Sequence, residues 1–145
     1  MTANSTWEAL LRAHATLVKR FTAEDVWGDL SMREYDVLYT LSKCPAPISL
    51  GELNKHVLLS QPAMSRMVDR LVERGLIARE PDRADRRSLR LALTGKGAAM
   101  QKEIGRRHAR GVTRTMTDAL TRDELRQLEQ LCRKLAGDQA IGNPR

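Results

Sequence analysis

Ser60-Gln61-Pro62-Ala63-Met64-Ser65-Arg66-Met67-Val68-Asp69-Arg70-Leu71-Val72-Glu73-Arg74-Gly75, followed by Leu76-Ile77-Ala78-Arg79-Glu80-Pro81-Asp82-Arg83-Ala84-Asp85-Arg86-Arg87-Ser88-Leu89-Arg90-Leu91-Ala92-Leu93, is the stretch that decides the fold. In its first half the apolar residues Met64, Met67, Val68, Leu71 and Val72 fall on one arc of a helical wheel. Arg66, Asp69, Arg70 and Glu73 fall on the opposite arc. Ser60 is an N-cap residue, Pro62 sits in the first turn where a missing N–H costs nothing, and Gly75 stands where a helix C-terminus favours glycine. In the second half the period becomes two: Leu89, Leu91 and Leu93 alternate with Arg90 and Ala92. Ile77 and Arg79 supply a partner strand, and Pro81 to Ser88 the charged connection. A helix that fits a major groove, beside a hairpin whose tip carries Arg83, Arg86 and Arg87, is the layout of a winged helix-turn-helix DNA reader.

Working outward, three more helix starts carry a Ser/Thr cap with Glu three residues later: Ser31 with Glu34, Ser49 with Glu52, and Thr121 with Glu124. The helix opened by Ser31 carries Tyr35, Val37, Leu38 and Leu41 and stops before Cys44-Pro45-Ala46-Pro47. Ser49 opens a short helix with Leu50, Leu53 and Val57 inward, and Leu58-Leu59-Ser60 turns into the arginine-bearing helix. Thr94 caps a long helix through Met100, Ile104, His108, Val112, Met116 and Leu120. Gly95, Gly97, Gly105 and Gly111 weaken that helix in isolation, so packing must hold it. At the start of the chain, Trp7, Leu10, Leu11, His14, Leu17, Val18 and Phe21 recur at helical spacing behind a cap at Asn4 or Ser5. Leu125, Leu128, Leu131, Cys132 and Leu135 form a similar stripe near the end, and Gly137 to Arg145 reads as a frayed tail.

The fold class expected is mainly α: a winged helix-turn-helix with a small β-hairpin wing, flanked by N- and C-terminal dimerisation helices. Residues 1–145 form a single domain, with 31–97 the DNA-binding part and 1–30 and 98–145 the dimerisation helices. The two terminal stripes have too little of one small domain to bury against, so a homodimer is expected. Its interface would involve Trp7, Leu10, Leu11, Leu17, Leu125, Leu128 and Leu131.

Charge points the same way. The chain of 145 residues has 25 Lys+Arg against 18 Asp+Glu, a net charge of +7, so a polyanion is the natural partner. Aromatic residues are only 3%, too few for base-stacking platforms of the single-strand or RNA-binding kind. No run approaches a membrane span, and the start of the chain lacks the pattern of a signal peptide. Cys44 and Cys132 lie far apart, which suits a cytoplasmic protein with reduced thiols. Lys96 lies in Thr94-Gly95-Lys96-Gly97, a helix start without the rest of a phosphate loop. His14, His56 and His108 are scattered, and neither a zinc cluster nor a nucleophile–base motif is present. The chain is therefore expected not to be an enzyme and to need no metal or cofactor.

On the DNA-facing side, Arg66 and Arg70 can each take guanine O6 and N7 together, and Gln61 and Ser65 can reach base edges or phosphates. Asp69 and Glu73 either mark an ordinary solvated face or pair with Arg66 and Arg70 one turn away. The arginines at the hairpin tip repel one another and suit a narrow minor groove, with Asp85 placed to brace the Arg87 guanidinium. The plainer alternative for the tip is a solubilising loop.

The run from Leu50 to Gly97 resembles the multiple-antibiotic-resistance regulator (MarR) family of bacterial transcription factors. The resemblance rests on Ser31-Met32-Arg33-Glu34-Tyr35-Asp36-Val37-Leu38, Met64-Ser65-Arg66-Met67-Val68-Asp69-Arg70-Leu71, Gly75-Leu76-Ile77-Ala78-Arg79, Asp85-Arg86-Arg87-Ser88 and Leu93-Thr94-Gly95-Lys96-Gly97. It implies that Ser60, Ser65, Arg66 and Arg70 touch DNA, that Asp85 and Arg87 form the wing pair, and that two copies interlock through their terminal helices. With them the DNA-binding set is Ser60, Gln61, Pro62, Ser65, Arg66, Arg70, Arg83, Asp85, Arg86, Arg87 and Ser88. The resemblance also implies an effector cleft between the dimer region and the winged helix. His14 and His108 either are satisfied interfacial histidines or line that cleft with Trp27, Tyr35 and Tyr39, around a small aromatic or phenolic effector. Some relatives sense oxidants through a cysteine near the N-terminus. This chain has none there, and Cys44 at a helix C-terminus reads as structural.

The expected function is a sequence-specific regulator of transcription, a repressor released by a small ligand, bound to a pseudo-palindromic operator in double-stranded DNA. A nonspecific architectural DNA-binding protein and a thiol-based redox regulator are the alternatives.

Overall fold

The computed structural model describes residues 2–57, 59–85 and 87–137. Arg86 of the wing tip, Leu58 of the turn and the tail 138–145 lie outside the described residues. The elements run α1 (Ala3–Thr22), α2 (Met32–Lys43), β1 (Ile48–Ser49), α3 (Leu50–His56), α4 (Gln61–Glu73), β2 (Ile77–Pro81), β3 (Leu89–Leu93), α5 (Gly95–Ala119) and α6 (Arg122–Ala136).

Most helix starts follow their local chemistry. Ser31 and Thr121 form full capping boxes with Glu34 and Glu124, and Ser60 and Thr94 accept the N–H groups of Ala63 and Gly97. Two starts differ from expectation. α1 begins earlier: Thr2 is its cap, and Ser5, expected as a cap, is the residue that answers Thr2 from inside the helix. At α3 only half a box forms. Ser49 accepts the Glu52 N–H at 3.1 Å, while the Glu52 carboxylate faces Arg90 at 3.8 Å instead of returning to the cap.

The sheet has one strand more than the hairpin expected. β3 pairs antiparallel with β2 from Ile77↔Leu93 to Pro81↔Leu89, and on its other edge with β1 through Ile48↔Leu91 and Ser49↔Arg90. Pro81 therefore belongs to the strand, and the wing turn starts at Asp82. β1 has only two residues, too short for any period to mark it in the sequence.

The core lies under α4 and the sheet. Leu38, Leu53, Met64, Leu71, Leu76 and Ile77 are fully buried, and the apolar arc of α4 packs against α3 and β2. That burial turns the opposite arc of α4 outward.

The long helix α5 is locked to the winged part by its glycines. A Cβ at Gly97 would sit 2.0 Å from the Leu76 carbonyl oxygen, and one at Gly105 would sit 2.9 Å from the Tyr35 hydroxyl. The Thr94 hydroxyl donates to Gly75 O at 2.6 Å, and Lys96 Nζ donates to Arg74 O at 3.3 Å, closing the same junction. Gly97→Ala must push backbone apart, which costs about 1–3 kcal/mol or more. The thermal midpoint should fall by roughly 3–10 °C. Gly95→Ala meets open space and serves as the control; equal midpoints for the two variants would contradict the close approach.

Candidate nucleic-acid interface

α4 presents Gln61, Pro62, Arg66 and Arg70 as exposed residues, with Ser65 half-buried and the cap Ser60 exposed at its start. Asp69 does not brace Arg66 or Arg70. Its carboxylate pairs with Arg79 of β2, because the packing of β2 beside α4 brings a guanidinium nearer than the one a turn away. Among the described residues Arg66, Arg70 and Glu73 form no ion pair. Both arginine heads are therefore available to an outside acceptor.

The wing turn is built on two aspartates. Asp82 Oδ1 accepts the Ala84 N–H at 3.0 Å, and the Asp82 N–H donates to Ser88 O at 2.9 Å. Asp85 Oδ1 accepts the Arg87 backbone N–H at 3.1 Å, and Asp85 Oδ2 accepts the Ser88 hydroxyl at 3.1 Å. Asp85 thus shapes the backbone that carries Arg87 and does not hold its guanidinium, which corrects the expected brace. Arg83 and Arg87 are exposed at this tip. The backbone Ala84 N–H, and next the Arg90 guanidinium, hold the Asp82 carboxyl below the usual carboxylate range.

The aromatic residues expected to line a cleft do come together, with one exception. His108 lies 4.8 Å from Trp27, 5.7 Å from Tyr35 and 5.3 Å from Phe21, ring centre to ring centre, and Tyr35 stacks on Tyr39 at 6.1 Å. His14 stands apart, exposed on α1 with no ring contact among the described residues. Trp27 and Tyr35 are buried, and Trp27 Nε1–H donates to Phe21 O at 3.0 Å. In the single chain Trp27 and Tyr35 are packed core, Tyr39 is exposed, and among the described residues His108 Nδ1 is buried without a hydrogen-bond partner. A cavity of about 330 Å³ lies further along the α2–α5 contact, lined by Leu41, Cys44, Pro45, Leu93, Gln101 and Lys102 among others. The sequence carried no sign of it, because it is assembled from three stretches of the chain, 41–47, 91–93 and 98–102.

Burial raises the Tyr35 hydroxyl and the Asp36 carboxyl above their usual ranges, and His108 and Arg33 offset only part of the shift at Asp36. A carboxyl that binds its proton more tightly when folded adds stability below its unfolded pKa and loses it as pH rises through the folded one. Asp36→Asn should therefore raise the thermal midpoint near neutrality, with the gain shrinking in acid. A gain that is constant between about pH 4 and about pH 8 would contradict this.

The sequence profile of the MarR family matches residues 30–89, the segment that holds α2 through the wing. The multiple antibiotic resistance protein MarR of Salmonella typhimurium is 33% identical over 107 residues, covering 74% of each chain. The chain belongs to the MarR family. Solved MarR-family structures match over nearly the whole chain. A cysteine-to-serine variant of MarR from Escherichia coli, complexed with operator DNA, superposes with a TM-score of 0.74 at 29% identity, covering 88% of this chain and 91% of that one. BpsR of Bordetella bronchiseptica, from work on regulation of its DNA binding by 6-hydroxynicotinic acid, superposes with a TM-score of 0.76 at 28% identity, covering 91% and 98%. MarR proteins are transcription regulators, not enzymes, and the mainly helical winged fold of this chain is theirs. No described helix of this MarR-family chain is long and apolar enough to cross a membrane.

Proposed function

We propose that this MarR-family chain is a homodimeric, sequence-specific regulator that binds a pseudo-palindromic operator in double-stranded DNA, as a cytoplasmic repressor released by a small ligand. The observation that carries the reading is the outward pair Arg66 and Arg70 on α4, free of ion pairs among the described residues, beside a wing tip that exposes Arg83 and Arg87. Arg66 and Arg70 would read base edges, with Ser60, Gln61, Pro62 and Ser65 seating the helix start. Arg83, Arg86 and Arg87 would enter the neighbouring minor groove on the turn that Asp85 and Ser88 shape. The MarR protein complexed with operator DNA supports the partner. The dimer reading is supported by Trp7, Leu11, Leu128, Leu131 and Leu135, which stay exposed on α1 and α6 in the single chain, with Leu10, Leu17 and Leu125 half-buried beside them.

The ligand is a small aromatic acid or phenol. BpsR, whose DNA binding is regulated by 6-hydroxynicotinic acid, supports that class. The site would lie along the α2–α5 contact, in the cavity lined by Lys102 and by Gln101, whose side chain also hydrogen-bonds Tyr35. His14 belongs to it only if a second copy brings it there. A ligand releases DNA only if it favours a dimer geometry that DNA does not.

The deciding experiment measures binding at fixed salt to an inverted repeat from the DNA beside the chain's own gene, against a scrambled duplex. Specific binding should be about 10³-fold tighter or more. Equal affinity for both would favour an architectural DNA-binding protein instead. A thiol switch is disfavoured by Cys44. Its half-buried thiol donates to Thr40 O at 3.2 Å, and burial, then Glu52, pushes its pKa up, away from the reactive thiolate.

A further inference from the structure

Two ion-pair sites tie the wing to two different helices, one on each of its strands. On β2, Arg79 pairs with Asp69 of α4. On β3, the Arg90 guanidinium reaches in three directions. Its Nε donates to Asp82 Oδ2 at 3.1 Å, one terminal nitrogen lies 3.0 Å from the same oxygen, and the other donates to Pro47 O at 3.4 Å and faces the Glu52 carboxylate of α3 at 3.8 Å. The second oxygen of Asp82 closes the wing turn through the Ala84 N–H. A single carboxylate therefore joins the fold of the wing tip to the clamp at its base.

These groups contribute little to holding the fold together. Side-chain exposure is 36% and 57% for Arg79 and Asp69, in the range where ion pairs add little stability, and 37% and 18% for Arg90 and Asp82, a pair that is partly sheltered. None of them belongs to the arginines offered to DNA. What they do fix is geometry. Beyond the Ser49↔Arg90 pair the wing is a two-stranded ribbon, which swings when held only at its base, and attachment on both strands to two helices of the same module restricts that freedom.

We propose that Asp69 and Arg90 are positioning residues for DNA recognition: through Arg79 and Asp82 they hold the wing at one offset from α4, so that the tip arginines and Arg66 and Arg70 engage DNA in a single register. The proposal rests on the reading of this chain as an operator-binding protein. Operator selectivity follows from it, because a sequence that places its narrow groove at another offset cannot satisfy both elements at once. A free wing would accept more sequences.

The sign of the effect at Asp69 distinguishes the clamp from simple electrostatics. Asp69→Asn removes a negative charge near the phosphates, so a spectator carboxylate would give tighter binding to every duplex. The clamp instead predicts a fall in the operator-to-random affinity ratio, by about tenfold, as pre-organisation is lost. Arg90→Gln should lower the same ratio, beyond the even weakening that loss of one cation brings. Asp69→Glu, which keeps the carboxylate, should restore the ratio.

A readout without DNA keeps the clamp testable on its own. Trypsin cuts after arginine, and the wing tip carries Arg83, Arg86 and Arg87. In the free full-length protein, cleavage within the wing should rise about fivefold or more in Asp69→Asn and Arg90→Gln, since local opening sets the rate. Thermal midpoints should stay near that of the natural chain. Wing cleavage and affinity ratio both unchanged in the two variants would overturn the proposal. So would affinity decreases that track a lowered midpoint and are not restored by Asp69→Glu. If the natural chain itself fails to prefer operator over random duplex, the operator-binding reading falls, and the proteolysis result alone decides whether the clamp exists.

Discussion

Replacing Arg66 or Arg70 by alanine is expected to lower operator affinity by roughly 1–3 kcal/mol for each bidentate arginine–base pair removed, about 5- to 150-fold, and to cost operator binding more than random-duplex binding. The reason is the position of these side chains on α4. Met64, Met67, Val68 and Leu71 are buried against the core, so the arc carrying Arg66 and Arg70 points away from it, and among the described residues no carboxylate takes either head. A base edge is read by donors that match it, and a wrong base leaves them unmatched, so the penalty falls on specific binding. Arg87→Ala should behave differently. Its partner groove carries a degenerate code, so binding to many sequences should weaken more evenly and the salt dependence should flatten. Asp85→Ala should resemble a milder Arg87→Ala through a loosened turn, because Asp85 holds the Arg87 backbone N–H and the Ser88 hydroxyl. Thermal midpoints should move little, since the arginine heads are exposed. Titration of each variant against operator and random duplex at two salt concentrations checks all of this. Equal weakening on both duplexes for Arg66→Ala would remove the base-reading role from this face of α4.

The second large effect is expected at α6. No residue of that helix is buried in the single chain, and Leu128, Leu131 and Leu135 are 37%, 59% and 75% exposed. Trp7 and Leu11 of α1 are 57% and 47% exposed. An apolar stripe of this length, with a strong cap at Thr121 and left largely uncovered by the described residues, is expected to bury against a second copy. Introducing aspartate at both Leu128 and Leu131 should convert a particle of twice 16.4 kDa into one of 16.4 kDa by light scattering at micromolar concentration. Operator affinity should fall by about 10²- to 10⁴-fold, because two linked half-site engagements become two separate ones. Footprints of the natural chain should show two half-sites about 10 bp apart, one turn of DNA, and the variant should lose that pairing. The single-chain core excludes α6, so the variant should remain folded. A natural chain that scatters as a clean monomer would end the dimer reading.

Local chemistry made much of this molecule legible in the sequence. The period of the apolar residues, the caps at Ser31, Ser60, Thr94 and Thr121, and Gly75 with φ 75° after α4 are set within a few residues of one another. A short-range pattern suffices to place helices, to tell the wing strands by their period of two, and to turn Arg66 and Arg70 outward. Tertiary structure decided what depends on separate segments meeting. β1 exists only because β3 offers its second edge to Ile48 and Ser49. Asp69 had arginines within one turn of its own helix, yet the approach of β2 gave it Arg79. Arg90 read as the polar half of an alternating strand, and only the hairpin register and the neighbouring α3 revealed it as a hub for Asp82, Glu52 and Pro47. Of the residues named for a cleft, Trp27 and Tyr35 became packed core while His14 and Tyr39 stayed exposed, and the cavity formed from segments that nothing in the sequence connects. Backbone caps and periodicity act over three or four residues, and a sequence displays them directly. Which charge finds which partner is settled by distances that exist only after the chain has folded.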